Sequence, residues 1–184
     1  MKFILFLILI LILSCAEKGQ ECLPVSEVIK EYEFRKIPTD FRIYGVFLYG
    51  PLKSPMMLAK FDGFYTVRVA KTNKIKIEKN KLCIENKCYL LPIAPENLIF
   101  GRVLSGGEYH FCRNSLLMFR KKLGVYEKLV VFEGKKLKEL IVRNIKKEKS
   151  IRIIFGDLKG KFFRELTFEI EGNKVKLVIE EVEI

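Results

Sequence analysis

Tryptophan is absent from this 184-residue chain, histidine occurs once, at His110, and aspartate only at Asp40, Asp62 and Asp157. Catalysis needs reactive groups brought together, and so short a supply leaves few ways to do it. Asp62 and Asp157 stand in glycine-bearing stretches, where aspartate serves turns by bonding its own backbone. A Ser/His/Asp triad would have to join His110 to Asp40 or a glutamate, and no glycine-flanked nucleophile elbow is present. Phosphate-cradling loops are missing too, because Gly106-Gly107 follows an apolar segment instead of opening a helix. Internal repeats, low-complexity stretches and a second domain boundary are likewise lacking. The expectation is a single-domain protein that is not an enzyme and carries no cofactor.

The N-terminus holds the strongest positive signal. Lys2 precedes an apolar run from Phe3 to Leu13 that ends in Ile12-Leu13-Ser14-Cys15. About 20 apolar residues are needed to span a bilayer, so this run is too short, but its charge, core and small-residue exit suit a secretory signal. The tetrapeptide resembles the lipobox of bacterial lipoproteins, which makes Cys15 the lipidated new N-terminus. An ordinary signal peptide or an uncleaved anchor is the bland alternative. The expected organisation is residues 1–14 as signal peptide, 15–24 as lipidated terminus and tether, and 25–184 as one globular domain. Ala16 after the cysteine favours the periplasmic face of the outer membrane.

With 34 Lys and Arg against 22 Asp and Glu, the formal net charge is +12. Such a chain is drawn to anionic surfaces, and outside the inner membrane those are lipid headgroups and lipopolysaccharide, not nucleic acid. The plainer source of most of these charges is the solvated outer face of strands.

Four cysteines remain beyond the anchor: Cys22, Cys83, Cys88 and Cys112. Export to an oxidising compartment makes pairing the default. A two-residue turn at Glu85-Asn86 would set Cys83 opposite Cys88 at a non-hydrogen-bonded pair, where side chains come closest, so a cross-strand disulfide is predicted there. Cys22 and Cys112 could pair or stay free. A zinc site made of His110, Cys112, Cys83 and Cys88 matches no common spacing.

Along the domain, Val25, Val28, Ile29 and Tyr32 recur at helical spacing behind Ser26, and Pro38 ends the pattern. Strands follow: Phe41 to Tyr49, Met56 to Phe61, Phe64 to Ala70 after the Asp62-Gly63 turn, Lys74 to Lys79, and the cysteine hairpin. Pro92 to Leu104 reads as a short helix closing at Ser105-Gly106-Gly107, and its Leu98, Ile99, Phe100, Val103 and Leu104 leave it almost no polar face. A helix like that is enclosed, or plugs something. The second half is a meander from Tyr109 to Glu183. In its last strand Val175, Leu177 and Ile179 alternate with Lys174, Lys176 and Glu180, the pattern of one covered and one wet face.

Fifteen Phe and seven Tyr exceed what a flat one-layer sheet could hide. Two short helices are too little to cover one face of so wide a sheet. The fold class expected is mainly β with a few helices, a single curved antiparallel sheet left unclosed, with a helical plug. Its concave face either lines an apolar ligand site or is filled solid. With Arg68, Lys60, Arg152 and Lys176 pointing outward, the hollow would be lined by Phe47, Ala59, Phe61, Val67, Val69, Ile153, Phe155, Phe168 and Leu177, with Ile99 and Val103 as the lid.

Three stretches carry a resemblance: Phe41-Arg42-Ile43-Tyr44-Gly45-Val46-Phe47-Leu48-Tyr49, the segment Leu91 to Gly106 with its prolines and closing glycine, and the final strands Phe163 to Ile170 and Lys174 to Ile184. Together they resemble the LolA/LolB lipoprotein-localisation superfamily, nearest to its outer-membrane receptor. The resemblance implies an unclosed barrel whose apolar hollow receives acyl chains of a lipoprotein delivered by a soluble LolA-like periplasmic carrier. It also implies a receptor or chaperone held to the membrane through its N-terminal lipid, and a monomer is expected. That receptor's exposed leucine loop corresponds here to the polar Lys71-Thr72-Asn73-Lys74. The competing expectation is a structural or interaction lipoprotein with a solid interior.

Overall fold

The computed structural model describes residues 25–62, 64–70, 75–78, 81–84, 87–91 and 93–184. The expected signal peptide, the anchor Cys15, Cys22 and the polar turn at 71–74 lie outside the described residues. Helix α1 spans Val25–Tyr32 and α2 spans Pro95–Phe100. The strands are β1 (Phe41–Tyr49), β2 (Leu52–Phe61), β3 (Phe64–Val69), β4 (Ile75–Glu78), β5 (Lys81–Ile84), β6 (Lys87–Leu90), β7 (Tyr109–Arg113) and β8 (Leu116–Leu123). They continue as β9 (Tyr126–Glu133), β10 (Lys136–Asn144), β11 (Lys149–Phe155), β12 (Leu158–Lys159), β13 (Phe162–Phe163), β14 (Glu165–Ile170) and β15 (Asn173–Glu183).

Ten of these strands form one antiparallel sheet in the order β3-β2-β1-β15-β14-β11-β10-β9-β8-β7. Its two ends, β3 and β7, do not pair, so the sheet is an unclosed half-barrel as expected. Hairpin connections build each half, and the join is non-local, since β1 pairs with β15. A three-stranded sheet, β4-β5-β6, and the small β12-β13 ribbon stand apart from it.

Period-two alternation decides which face is dry. In β1 Phe41, Ile43 and Phe47 are buried, and in β15 Val175, Leu177 and Ile179 are. The same phase runs through Leu166, Phe168 and Ile170 of β14 and Ile151, Ile153 and Phe155 of β11. On the opposite face the charges pair across strands. Arg152 bridges Glu139 and Glu169, and Lys176 lies 2.7 Å from Glu165. Arg152 and Lys176 therefore belong to the solvated outside of the sheet, as expected.

Strand β2 runs in the phase opposite to the one expected. Ser54, Met56 and Leu58 face inward, because Leu58 pairs with Ile43 and Val67 while Ala59 pairs with Arg42 and Thr66. Ala59 is buried but on the convex side, and Phe61 is 43% exposed with the Arg42 guanidinium 5.0 Å above its ring. Neither lines the hollow. Lys60, taken as outward, sits opposite buried Phe41 at the strand end, where a long aliphatic stem can lie along apolar surface and carry its ammonium to water.

The central helix is also shorter than expected. It ends at Gly101, whose φ of 77° is left-handed and whose N–H donates to the Leu98 carbonyl at 3.2 Å. A β-carbon there would stand 2.7 Å from the Phe163 ring, so glycine stops the helix four residues before Ser105.

Gly45 meets a different constraint. It lies at the register shift between β1 and β15, and an added β-carbon would fall 2.5 Å from the Val178 carbonyl oxygen. Backbone cannot step aside as a flexible side chain can. Gly45→Ala is expected to lower stability by about 1–3 kcal/mol, the usual cost of forced overpacking, read as a fall in the urea midpoint at unchanged slope.

Candidate functional site

The concave face of the sheet is covered by α1, α2 and the β5-β6 hairpin. From α1, Val28 and Tyr32 are buried, with the Tyr32 ring 4.9 Å from that of Phe132 and its hydroxyl donating to the Lys135 carbonyl at 2.9 Å. From α2, Leu98, Ile99 and Phe100 are all buried, and Phe100 meets Phe41 edge-on at 5.4 Å. The hairpin contributes Leu82 and Ile84 and is clamped by the Cys83–Cys88 disulfide, with the two Cα atoms 3.9 Å apart. That is the predicted cross-strand bridge between directly opposed residues.

Cys112 is disulfide-bonded as well. Thiols consumed this way cannot hold zinc, and no cluster of three or more metal-ligating residues exists among the described residues.

Beneath α2 a void of about 20 Å³ remains, lined by Phe47, Met56, Leu58, Leu82, Leu91, Pro95, Leu98, Ile99, Leu166, Phe168 and Leu177. About 10–15 Å³ measured this way holds one water molecule, so the space accepts one small group and no acyl chain. The interior is a packed core with a seam under the plug. Of the expected hollow residues, Phe47, Ile99, Phe168 and Leu177 meet at this seam. Val103, Ile153 and Phe155 are buried elsewhere in the core, Phe155 against Phe163 at 4.9 Å, while Val67 and Val69 pack on it half-buried. Met56, Leu58, Leu82, Leu91, Pro95, Leu98 and Leu166 were missed; the first two follow from the inverted phase of β2, Leu166 is in step with Phe168, and the other four come from the hairpin and helix that cover the sheet.

One polar device holds the segment after α2. Lys128 on β9 shares the inward phase of Val130 and Phe132, and its side chain is only 2% exposed. Its ammonium donates to Glu108 Oε1 at 2.7 Å, to the Val103 carbonyl at 3.0 Å and to Ser105 Oγ at 3.3 Å. Glu108 Oε1 also accepts from the N–H and hydroxyl of Ser105, both at 2.9 Å. Lys121 adds a bond to Ser105 Oγ at 3.1 Å and one to the Gly106 carbonyl. Burial pulls the Lys128 pKa down, and its bond to Glu108 only partly restores it. Burial pushes Glu108 up, but its bonds to Lys128 and Ser105 outweigh that and leave it below its ordinary value. The result ties residues 103–108 to the sheet, whereas α2 itself is held by apolar contacts.

No protein-family model matches the sequence, and no curated protein matches it. Among solved structures the chain is similar to a LolA superfamily protein from Nitrosomonas europaea, with 8% identity, coverage of 89% of this chain and 94% of that one, and a TM-score of 0.45.

Removing one partner of the buried pair leaves the other charge without compensation. Glu108→Gln is expected to cost about 3–5 kcal/mol at neutral pH. Because the folded pKa of Glu108 lies below its ordinary 4.5, its contribution is complete above that value and is lost as pH falls through the depressed one. Denaturant midpoints measured against pH should therefore show a shallower acid limb in Glu108→Gln than in the unaltered chain.

Proposed function

We propose that this protein is an acyl-chain-binding lipoprotein of the cell envelope, which takes its ligand under α2 when that helix lifts from the sheet. The supporting observation is the seam itself: the void is lined by apolar side chains beneath a six-residue helix whose Leu98, Ile99 and Phe100 are all buried. A lipid tail makes no hydrogen-bonding demands, so such a site needs area and no placed polar groups.

Magnitudes make the exchange feasible. Exposing Leu98, Ile99 and Phe100 costs about 1.5–3 kcal/mol each, about 5–9 in all. A chain of about fifteen methylenes entering the vacated space returns about 12 kcal/mol at about 0.8 each. The two terms are of one size, so ligand can replace lid. The Lys128 cluster keeps residues 103–108 in place during such a movement, which puts the hinge near Gly101.

The finer reading is a receptor or chaperone that accepts lipoprotein acyl chains from a soluble periplasmic carrier, anchored through Cys15 at the periplasmic face of the outer membrane. It rests on the signal-like N-terminus and the sequence resemblance. A second reading, a structural or interaction lipoprotein with a solid interior, is favoured by how little space the closed form leaves.

Uptake of a fluorescent fatty acid separates them. Phe168→Lys should abolish uptake while circular dichroism shows a folded chain, and Phe168→Ala, which enlarges the space at a stability cost of about 3–5 kcal/mol, should retain or strengthen it. No uptake by the unaltered chain, or uptake indifferent to both changes, would contradict the assignment.

A further inference from the structure

The interior seam is not the only recess. A cleft of about 320 Å³ opens where β6 passes the ends of β9, β10 and β11, lined by Lys87, Tyr89, Leu90, Tyr126, Val142, Asn144, Lys147, Lys149 and Ile151 among others. Its character differs from the seam's. Leu90, Val142 and Ile151 supply apolar wall, while three ammonium groups stand around it. Glu171 faces them, 2.5 Å from Lys149 and 3.8 Å from Lys87, and accepts the Tyr89 hydroxyl at 2.8 Å. One carboxylate against three lysines leaves a surplus of two positive charges. Lys147 has no carboxylate partner among the described residues.

The turn that carries Lys147 is built, not loose. Asn144 Oδ1 accepts the amide hydrogens of both Lys146 and Lys147, at 3.0 and 3.1 Å. On the facing wall the Cys83–Cys88 bridge holds β6 to β5. Tyr89 stays a neutral donor, since burial and the neighbouring Glu171 push its pKa up to about 12. The recess thus has a basic rim carried on a pinned turn and an apolar floor.

We infer that this cleft binds the anionic head of a single-chain amphiphile, with its phosphate or carboxylate at Lys147 and its first methylenes against Leu90, Val142 and Ile151. A volume of 320 Å³ lies at the lower end of small-ligand sites and suits a headgroup with the start of its tail, not a whole lipid. The site is separate from the seam beneath α2, with which it shares no lining residue, and it stands whether or not the interior takes acyl chains.

The test is calorimetric titration of the full chain with dodecyl phosphate, inorganic phosphate and dodecanol, in a constant background of uncharged detergent that saturates any interior site equally in every arm. Dodecyl phosphate should bind, and Lys147→Glu, in an exposed turn, should weaken it by about tenfold or more. Inorganic phosphate should bind far more weakly, and dodecanol should be indifferent to the substitution. Dodecyl phosphate that fails to bind, or that binds Lys147→Glu within about twofold of the unaltered chain, overturns the site. Inorganic phosphate binding as tightly as dodecyl phosphate overturns the amphiphile and leaves a bare anion site. A double variant, Lys87→Gln with Lys147→Gln, guards against repair by a neighbouring ammonium and should lose at least as much as Lys147→Glu.

Discussion

A wide antiparallel sheet that curls without closing has one apolar face that no strand of its own can cover, and that uncovered face governs the rest of this structure. Phe47, Ile153, Phe168 and Leu177 would meet water there if nothing lay over them. The chain spends two short helices and a disulfide-clamped hairpin on the task. Their apolar residues fill the concavity beneath α2 almost completely, leaving about 20 Å³ there. Interiors pack to crystal-like density because every unfilled gap forfeits contacts, so a resting half-barrel without ligand is expected to fill itself with its own lid.

The cover is not fastened evenly. Residues 103–108 are tied to β9 by the buried Lys128–Glu108 pair, where losing one partner is costly, and to β8 by the more exposed Lys121 bonds. Residues 95–100 are held by contacts without direction. Apolar contacts can be exchanged for other apolar contacts at little net cost, whereas a buried ion pair has few substitutes. That asymmetry makes α2 the movable part and the following loop its mooring.

Much of the scaffold was legible in the sequence. The alternation in Lys174 to Glu183 set the dry face of the last strand, whereas Phe41 to Tyr49, apolar on both faces, took its dry face from its partners, and the opposition of Cys83 and Cys88 followed from a two-residue turn. Legibility failed where tertiary partners decide. Lys60 was taken as a pointer to solvent, but at a strand end its stem can lie inward, and trusting it turned the phase of Met56 to Phe61 over. Lys128 shares the phase of Val130 and Phe132, a signal that was available; its meaning needed Glu108, far along the chain. Gly101 was hidden inside an apolar run whose more obvious stop was Ser105-Gly106-Gly107. The basic cleft joins β6 to the ends of β9, β10 and β11, and no local pattern announces such a junction.

The central claim is that α2 opens while the sheet beneath it stays folded. Native-state hydrogen exchange measures this directly, because sub-global opening appears as amides whose exchange free energy falls well below that of global unfolding. The account predicts that amides of residues 98–101 exchange through such a low-energy opening, less dependent on denaturant than global unfolding, while those of β1, β14 and β15 exchange only on full unfolding, and that added fatty acid changes the former alone. Exchange of residues 98–101 at the same free energy as β1 and β15, with or without lipid, would show that the helix is a permanent part of a solid core.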